Sequence, residues 1–196
     1  GGGGGDDDGR LYVAGPNIVG VPALAALEKE ARGALEGALS AAEQRALSRV
    51  GLWVGVDGQE TPLHFDCASN LLCVLRGRKT VALAPPQAYP HLYPHPWQSC
   101  GGEDMEGEVY RFSEVDIDAV DAARHPRALS RVTMEVAELA AGDALFIPLG
   151  WWHHVVSHAE EGDGGAGGPC VALNAFWHAP RDTWDRPAHR KRAPSR

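Results

Sequence analysis

Two short stretches of the chain carry residue types able to hold a metal ion. The first is Thr61-Pro62-Leu63-His64-Phe65-Asp66. On a strand, residues two apart share a face, so His64 and Asp66 project together while Phe65 packs on the other side. The second, far downstream, is Trp151-Trp152-His153-His154-Val155-Val156. Only one of its two histidines can join the first pair. Two imidazoles and one carboxylate on one face of an octahedral ion leave the opposite positions open, the arrangement of non-haem Fe(II) oxygenases. Taken alone, the H-x-D spacing favours a buried His–Asp hydrogen-bonded pair over a metal site. Lys79 stands out for another reason. The chain has three lysines, Lys29, Lys79 and Lys191, among 18 basic residues. A lysine in an arginine-rich background suits a site that needs a compact ammonium, or else a strand edge.

The elements that would position these groups are short. Strands are predicted over Leu52–Val56, Leu63–Asp66, Leu71–Arg76, Lys79–Ala84, Val132–Leu139, Ala144–Pro148, His153–Ser157 and Cys170–Trp177, with a tight turn at Gly77-Arg78. Many short strands without alternating helices imply a sandwich or barrel. Before them, Leu24, Leu27, Ala31, Leu35 and Leu39 recur at helical spacing, so residues 22–50 are read as one or two helices. Ser40 and Glu43 have the spacing of a capping box. Residues 85–131 form a long excursion, with a helix expected over Val115–Ala123, of the kind that rims a site. Gly162, Gly164 and Gly167 match a dinucleotide-binding glycine pattern, but no helix follows, so the match is discarded.

Composition sets the outer bounds. The 196 residues carry a formal net charge of −8, which disfavours non-specific phosphate binding. The exception is a basic tail with Arg181, Arg186, Arg190, Lys191, Arg192 and Arg196. No apolar run reaches the length of a membrane span. Cys67, Cys73, Cys100 and Cys170 form no C-x-x-C pair, so free thiols and a reducing intracellular compartment, cytoplasmic or nuclear, are expected. The organisation read from all this is a Gly/Asp-rich disordered lead over residues 1–9, a single domain over 10–180 (10–50 its helical N-terminal part, 51–180 a barrel) and the tail over 181–196. Trp53, Phe146 and Phe176 are read as core, Cys67 as a core thiol, and Trp177 as a wall of the substrate entrance or barrel packing.

Four stretches together resemble the JmjC-type, cupin-like hydroxylases that use Fe(II) and 2-oxoglutarate. They are T-P-L-H-F-D-C-A-S-N-L-L-C-V-L-R-G-R-K-T-V-A-L-A-P-P (Thr61–Pro86), H-L-Y-P-H (His91–His95), G-D-A-L-F-I-P-L-G-W-W-H-H-V (Gly142–Val155) and N-A-F-W (Asn174–Trp177), preceded by Y-V-A-G from Tyr12. They run in family order across nearly the whole chain. The resemblance implies a mainly β fold, a double-stranded β-helix or jelly roll, with an N-terminal helical segment. It assigns iron to His64, Asp66 and His153. It assigns the far carboxylate of 2-oxoglutarate to Lys79, Thr61 and Tyr12, and a place beside the iron-bound cosubstrate to Asn70 and Asn174. The family often reads N-F-W where this chain reads N-A-F-W, and the extra residue would turn Asn174 to the other face unless a bulge absorbs it. The implied reaction is hydroxylation of a protein side chain with O2, as 2-oxoglutarate is decarboxylated to succinate. The alternatives are a tRNA-base hydroxylase of the wybutosine type and a catalytically silent binding module. The chain's small size argues against a chromatin demethylase. A homodimer is the oligomer the resemblance allows.

Overall fold

A computed structural model describes residues 13–36, 39–99, 110–160 and 168–178. The Gly/Asp-rich lead, Tyr12 and the basic tail lie outside them. The chain begins with β1 (Val13–Asn17), a 3-10 turn at Pro22–Leu24, α1 (Ala25–Glu36) and α2 (Ala41–Arg45). β2 (Leu47–Gly55), β3 (Gln59–Phe65), β4 (Ser69–Arg76) and β5 (Arg78–Ala84) follow, alternating between the two sheets. After a 3-10 helix at Pro86–His91 come β6 (Pro94–Ser99), β7 (Tyr110–Ser113) and α3 (Pro126–Arg131). β8 (Glu135–Ala140), β9 (Ala144–Ile147), β10 (Trp152–His158) and β11 (Cys170–Trp177) complete the fold.

The strands form two antiparallel sheets. One has the order β1-β2-β11-β4-β9, the other β6-β7-β3-β10-β5-β8. They face each other across a shared core in which Leu72, Val74 and Ala172 from the first sheet meet Val81, Leu83 and Val155 from the second. This is the expected jelly roll. The outer faces are covered too. Leu63, Phe65 and Trp152 pack under Ala88, Tyr89 and Leu92 around the 3-10 helix at Pro86–His91. Leu35 and Leu39 of the helical segment cover Leu71, Ala175 and Trp177. Residues on both faces of the central strands are therefore buried: β4 reads as a continuous apolar run over 71–75, and β10 buries histidines on both of its faces.

Several expectations need correction. The helical stretch ends at Arg45, because β2 begins at Leu47 and pairs with both β1 and β11; sheet pairing overrides a local helical period. The capping box at Ser40 and Glu43 is formed, closing the N-terminus of α2. Val115–Ala123 is not a helix. Asp116 and Asp121 accept backbone N–H bonds from the residues two and three ahead, and such side-chain turns compete with helix formation. The helix of this region is α3. Phe146 is 52% exposed rather than core and stacks on Trp177 at 5.8 Å. Cys73 and Cys170 are free thiols, whereas Cys67 is disulfide-bonded, so cysteine content gives no argument for a reducing compartment. Among the described residues no helix is long and apolar enough to cross a membrane.

Candidate metal centre and cosubstrate pocket

Between the sheets lies a cavity of about 350 Å³ lined by Thr61, His64, Asp66, Asn70, Lys79, His153 and Asn174, among others. Its wall is built by strand register. β3 and β10 pair antiparallel with His153 opposite His64. Beyond that pair the register shifts, and Val155 stands opposite Thr61. β3 thus carries one extra residue at Pro62-Leu63, a bulge at a proline that has no N–H to give the ladder. Without it, Thr61 and His64 would face opposite ways. With it, both line the cavity.

His64, Asp66 and His153 converge there. Their ligand atoms lie within 4.8 Å of one another, with His153 Nε2 3.6 Å and His64 Nε2 4.0 Å from the Asp66 carboxylate. Each imidazole is oriented from behind. The Nδ1 of His64 sits 2.8 Å from the Pro62 carbonyl, and that of His153 3.0 Å from the Trp151 carbonyl. A carbonyl oxygen can only accept, so Nδ1 carries the proton in both rings and Nε2 presents its lone pair to the cavity. Burial, reinforced by His153 and only partly opposed by Asp66, holds the pKa of His64 down to about 3. The ring is thus kept neutral, the form that binds a metal.

Lys79 enters the same cavity from β5. It is 6% exposed. Its Nζ donates to Ser157 Oγ at 2.8 Å, the residue opposite it on β10. Among the described residues no carboxylate lies within ion-pairing distance of it, and burial lowers its pKa. Asn174 faces inward and donates through Nδ2 to Asn70 Oδ1 at 2.8 Å. No bulge absorbs the extra residue of N-A-F-W: β11 pairs with β4 in unbroken register from Asn174 to Trp177, the shift against β2 placing its extra residue, Ser48, on β2, and plain alternation puts Phe176 on the Asn174 face. Phe176 consequently lines the cavity, under the guanidinium of Arg49 at 5.2 Å, while Trp177 packs on the outer face. Trp53, read as core, also lines the cavity.

β7 contributes two groups that motif reading missed. Arg111 Nη1 lies 3.6 Å from Asp66 Oδ1, and the Phe112 ring stacks on His64 at 5.2 Å and 14°. Their only signal was membership of the long excursion, which does reach the rim.

An antiparallel double sheet with two imidazoles and a carboxylate turned into its interior defines a metal-binding barrel of the cupin class. Residues 12–183 match the family model for the cupin-like domain, and the chain belongs to this cupin-like, JmjC-type family. It is 37% identical over 138 residues to "Lysine-specific demethylase JMJ31" of Arabidopsis thaliana, covering 70% of this chain and 22% of that protein. It is 34% identical to "Lysine-specific demethylase 8" of Danio rerio (55% of this chain, 24% of that protein). With human "HSPB1-associated protein 1" the identity is 35% (54% and 20%). The chain thus spans no more than about a quarter of the length of these relatives, and its size does not bear on which of their activities it shares.

Proposed function

We propose that this chain is an Fe(II)- and 2-oxoglutarate-dependent oxygenase that hydroxylates a protein side chain. The observation that carries the reading is a single cavity holding an inward-facing two-histidine, one-carboxylate set and a buried lysine that has no carboxylate partner among the described residues. The donor set suits iron(II): two neutral imidazole nitrogens and one carboxylate on one side leave room for a chelating cosubstrate. His64, Asp66 and His153 would hold the metal. The ammonium of Lys79, with the hydroxyl of Thr61 lining the same cavity, would take the far carboxylate of 2-oxoglutarate through a charge-assisted hydrogen bond. Iron with bound 2-oxoglutarate supplies the activation of O2 and the coupled decarboxylation that inserts oxygen into a C–H bond.

The chain's own groups orient and shield. The Pro62 and Trp151 carbonyls fix the ligand rings. Leu72, Ile147 and Val155 make the cavity wall apolar and keep bulk water from the reacting centre. Ser157 holds the Lys79 ammonium toward the cavity. The Asn70–Asn174 pair offers its remaining amide groups beside the metal ligands.

A protein substrate is favoured by the net charge of −8, which repels a polyphosphate backbone. Removal of an N-methyl group begins with the same C–H hydroxylation, so demethylation, the activity in the names of two of these relatives, falls within the proposal. A tRNA base remains the second reading, resting on the basic tail and the N-A-F-W stretch. The complete donor set argues against a silent module, whose site would have no need to keep every ligand and Lys79.

The test is anaerobic addition of Fe(II) and 2-oxoglutarate to the metal-free protein, followed by visible absorption. The chelate gives a charge-transfer band in the intact protein and none in Asp66→Ala. A folded wild-type protein that gives no band overturns the reading.

A further inference from the structure

His154 follows His153 directly, so its side chain lies on the opposite face of β10, outside the cavity. It is nevertheless only 6% exposed. Buried imidazoles ordinarily give a ring nitrogen to a hydrogen-bond partner, as His64 and His153 do. His154 makes no hydrogen bond among the described residues. Its Nε2 instead faces two carboxylates, Glu60 Oε2 at 3.8 Å and Asp118 Oδ2 at 3.9 Å. Both separations exceed the ~3.2 Å reach of an N–H···O bond. The three donor atoms lie within 4.8 Å of one another.

These spacings suit an ion between the groups better than direct contact. Bonds of ~2.0–2.2 Å to a first-row divalent metal put neighbouring ligand atoms ~3–3.5 Å apart. Closing from 3.8 and 3.9 Å asks only small movements, and the side chains that would move are the exposed ones. The Glu60 and Asp118 side chains are 56% and 61% exposed, whereas His154 is fixed by burial. The three groups come from three segments: β3, β10 and the turns after β7. Glu60 shares the His154 face because the Pro62-Leu63 bulge resets the alternation of β3.

We propose that His154, Glu60 and Asp118 form a second divalent-metal site on the outer face of the sheet. One imidazole nitrogen and two carboxylate oxygens favour zinc, with manganese as the competing ion, over the all-oxygen preference of calcium and magnesium. Two carboxylates balance the ion's charge. Bound there, the ion clamps the turns after β7 against β3 and β10, the strands that present His64 and His153 on their other face. The site does not depend on the oxygenase reading.

Zinc alone is the probe, titrated calorimetrically into metal-free, tag-free protein. The wild type binds two equivalents, and Asp118→Asn, changed at an exposed position, binds one. Asp66→Ala, with the inner centre broken, retains one equivalent and gains thermal stability on zinc addition. The double variant Asp66→Ala/Asp118→Asn loses both responses. A wild type whose zinc stoichiometry is unchanged by Asp118→Asn overturns the proposal, as does zinc binding in Asp66→Ala that survives Asp118→Asn; a wild type that binds a single equivalent, lost in Asp118→Asn, upholds the outer site and counts against the inner one. Should Asp66→Ala not fold, the comparison of wild type with Asp118→Asn decides alone.

Discussion

Among the described residues the buried ammonium of Lys79 bonds one hydroxyl and is short of counter-charge, the ground on which we propose it as the receptor for an anion. Removing it should weaken 2-oxoglutarate binding by about 30–150-fold, the loss of one hydrogen bond to a charged group at about 2–3 kcal/mol. Iron affinity should stay within a few-fold, because Lys79 touches none of His64, Asp66 and His153. Equilibrium titration of Lys79→Met with Fe(II) and then 2-oxoglutarate separates the two, and unchanged cosubstrate affinity would remove Lys79 from the site. His64 yields a second prediction. Its folded pKa, about 3, lies below the ordinary imidazole value of 6.5. Between these values the unfolded chain takes up a proton that the folded chain refuses. In the metal-free protein this group therefore adds no pH dependence above 6.5 and costs stability as pH falls below it, by up to about 1.4 kcal/mol per pH unit. Urea unfolding at pH 7.5 and pH 5 should show the loss, and His64→Gln should reduce it; an equal loss in the variant would assign it to other groups. His64 and Asp66 were legible because a period of two needs only local sequence. Arg111 was not, because it reaches Asp66 from a strand whose partner cannot be read from its own residues.

At the scale of elements, backbone geometry decides what the side chains can reach. Gly77 turns β4 into β5 at φ +75°, and an added Cβ would stand 2.6 Å from the His158 carbonyl oxygen. Gly77→Ala should destabilise the fold by about 1–3 kcal/mol from the left-handed backbone alone, with the close approach adding to it. A fall in the urea midpoint at constant slope is the expected result; an unchanged midpoint would mean that the turn relaxes freely. Ser40→Ala removes the α2 capping box and should cost about 1 kcal/mol without altering Fe(II) or 2-oxoglutarate affinity, since α2 lies on the outer face, away from the cavity. The capping box and the Gly77 turn were legible because both are written within a few residues. The start of β2 and the fate of Val115–Ala123 were not. The first depends on pairing with β1 and β11, and the second on aspartates that bond their own backbone. The Pro62-Leu63 bulge belongs with these: proline marks a place where a ladder weakens, but only the register against β10 shows that it turns Thr61 inward.

For the whole molecule, the cavity is also the place where the two sheets meet. Asn70 and Asn174 come from one sheet, His64, Lys79 and His153 from the other. The jelly roll itself was legible from many short strands and the order of motifs, whereas the pairing of strands far apart in sequence was not. A ligand that bridges the sheets stabilises the fold by mass action, about 2.7 kcal/mol at a concentration 100 times its Kd. Manganese(II), which can occupy the histidine–carboxylate set without turnover, should raise the melting temperature in the presence of 2-oxoglutarate. The rise should exceed the sum of those given by each alone, because in the proposed site the metal would take the near end of the cosubstrate and Lys79 the far end. Cosubstrate alone should shift the melt little. Lys79→Met should reduce the joint effect toward the metal-only value, and Asp66→Ala should abolish the synergy while leaving any stabilisation by metal at the outer site. Additive shifts in the wild-type protein would mean that metal and cosubstrate bind independently, and that the cavity is not the shared site its geometry describes.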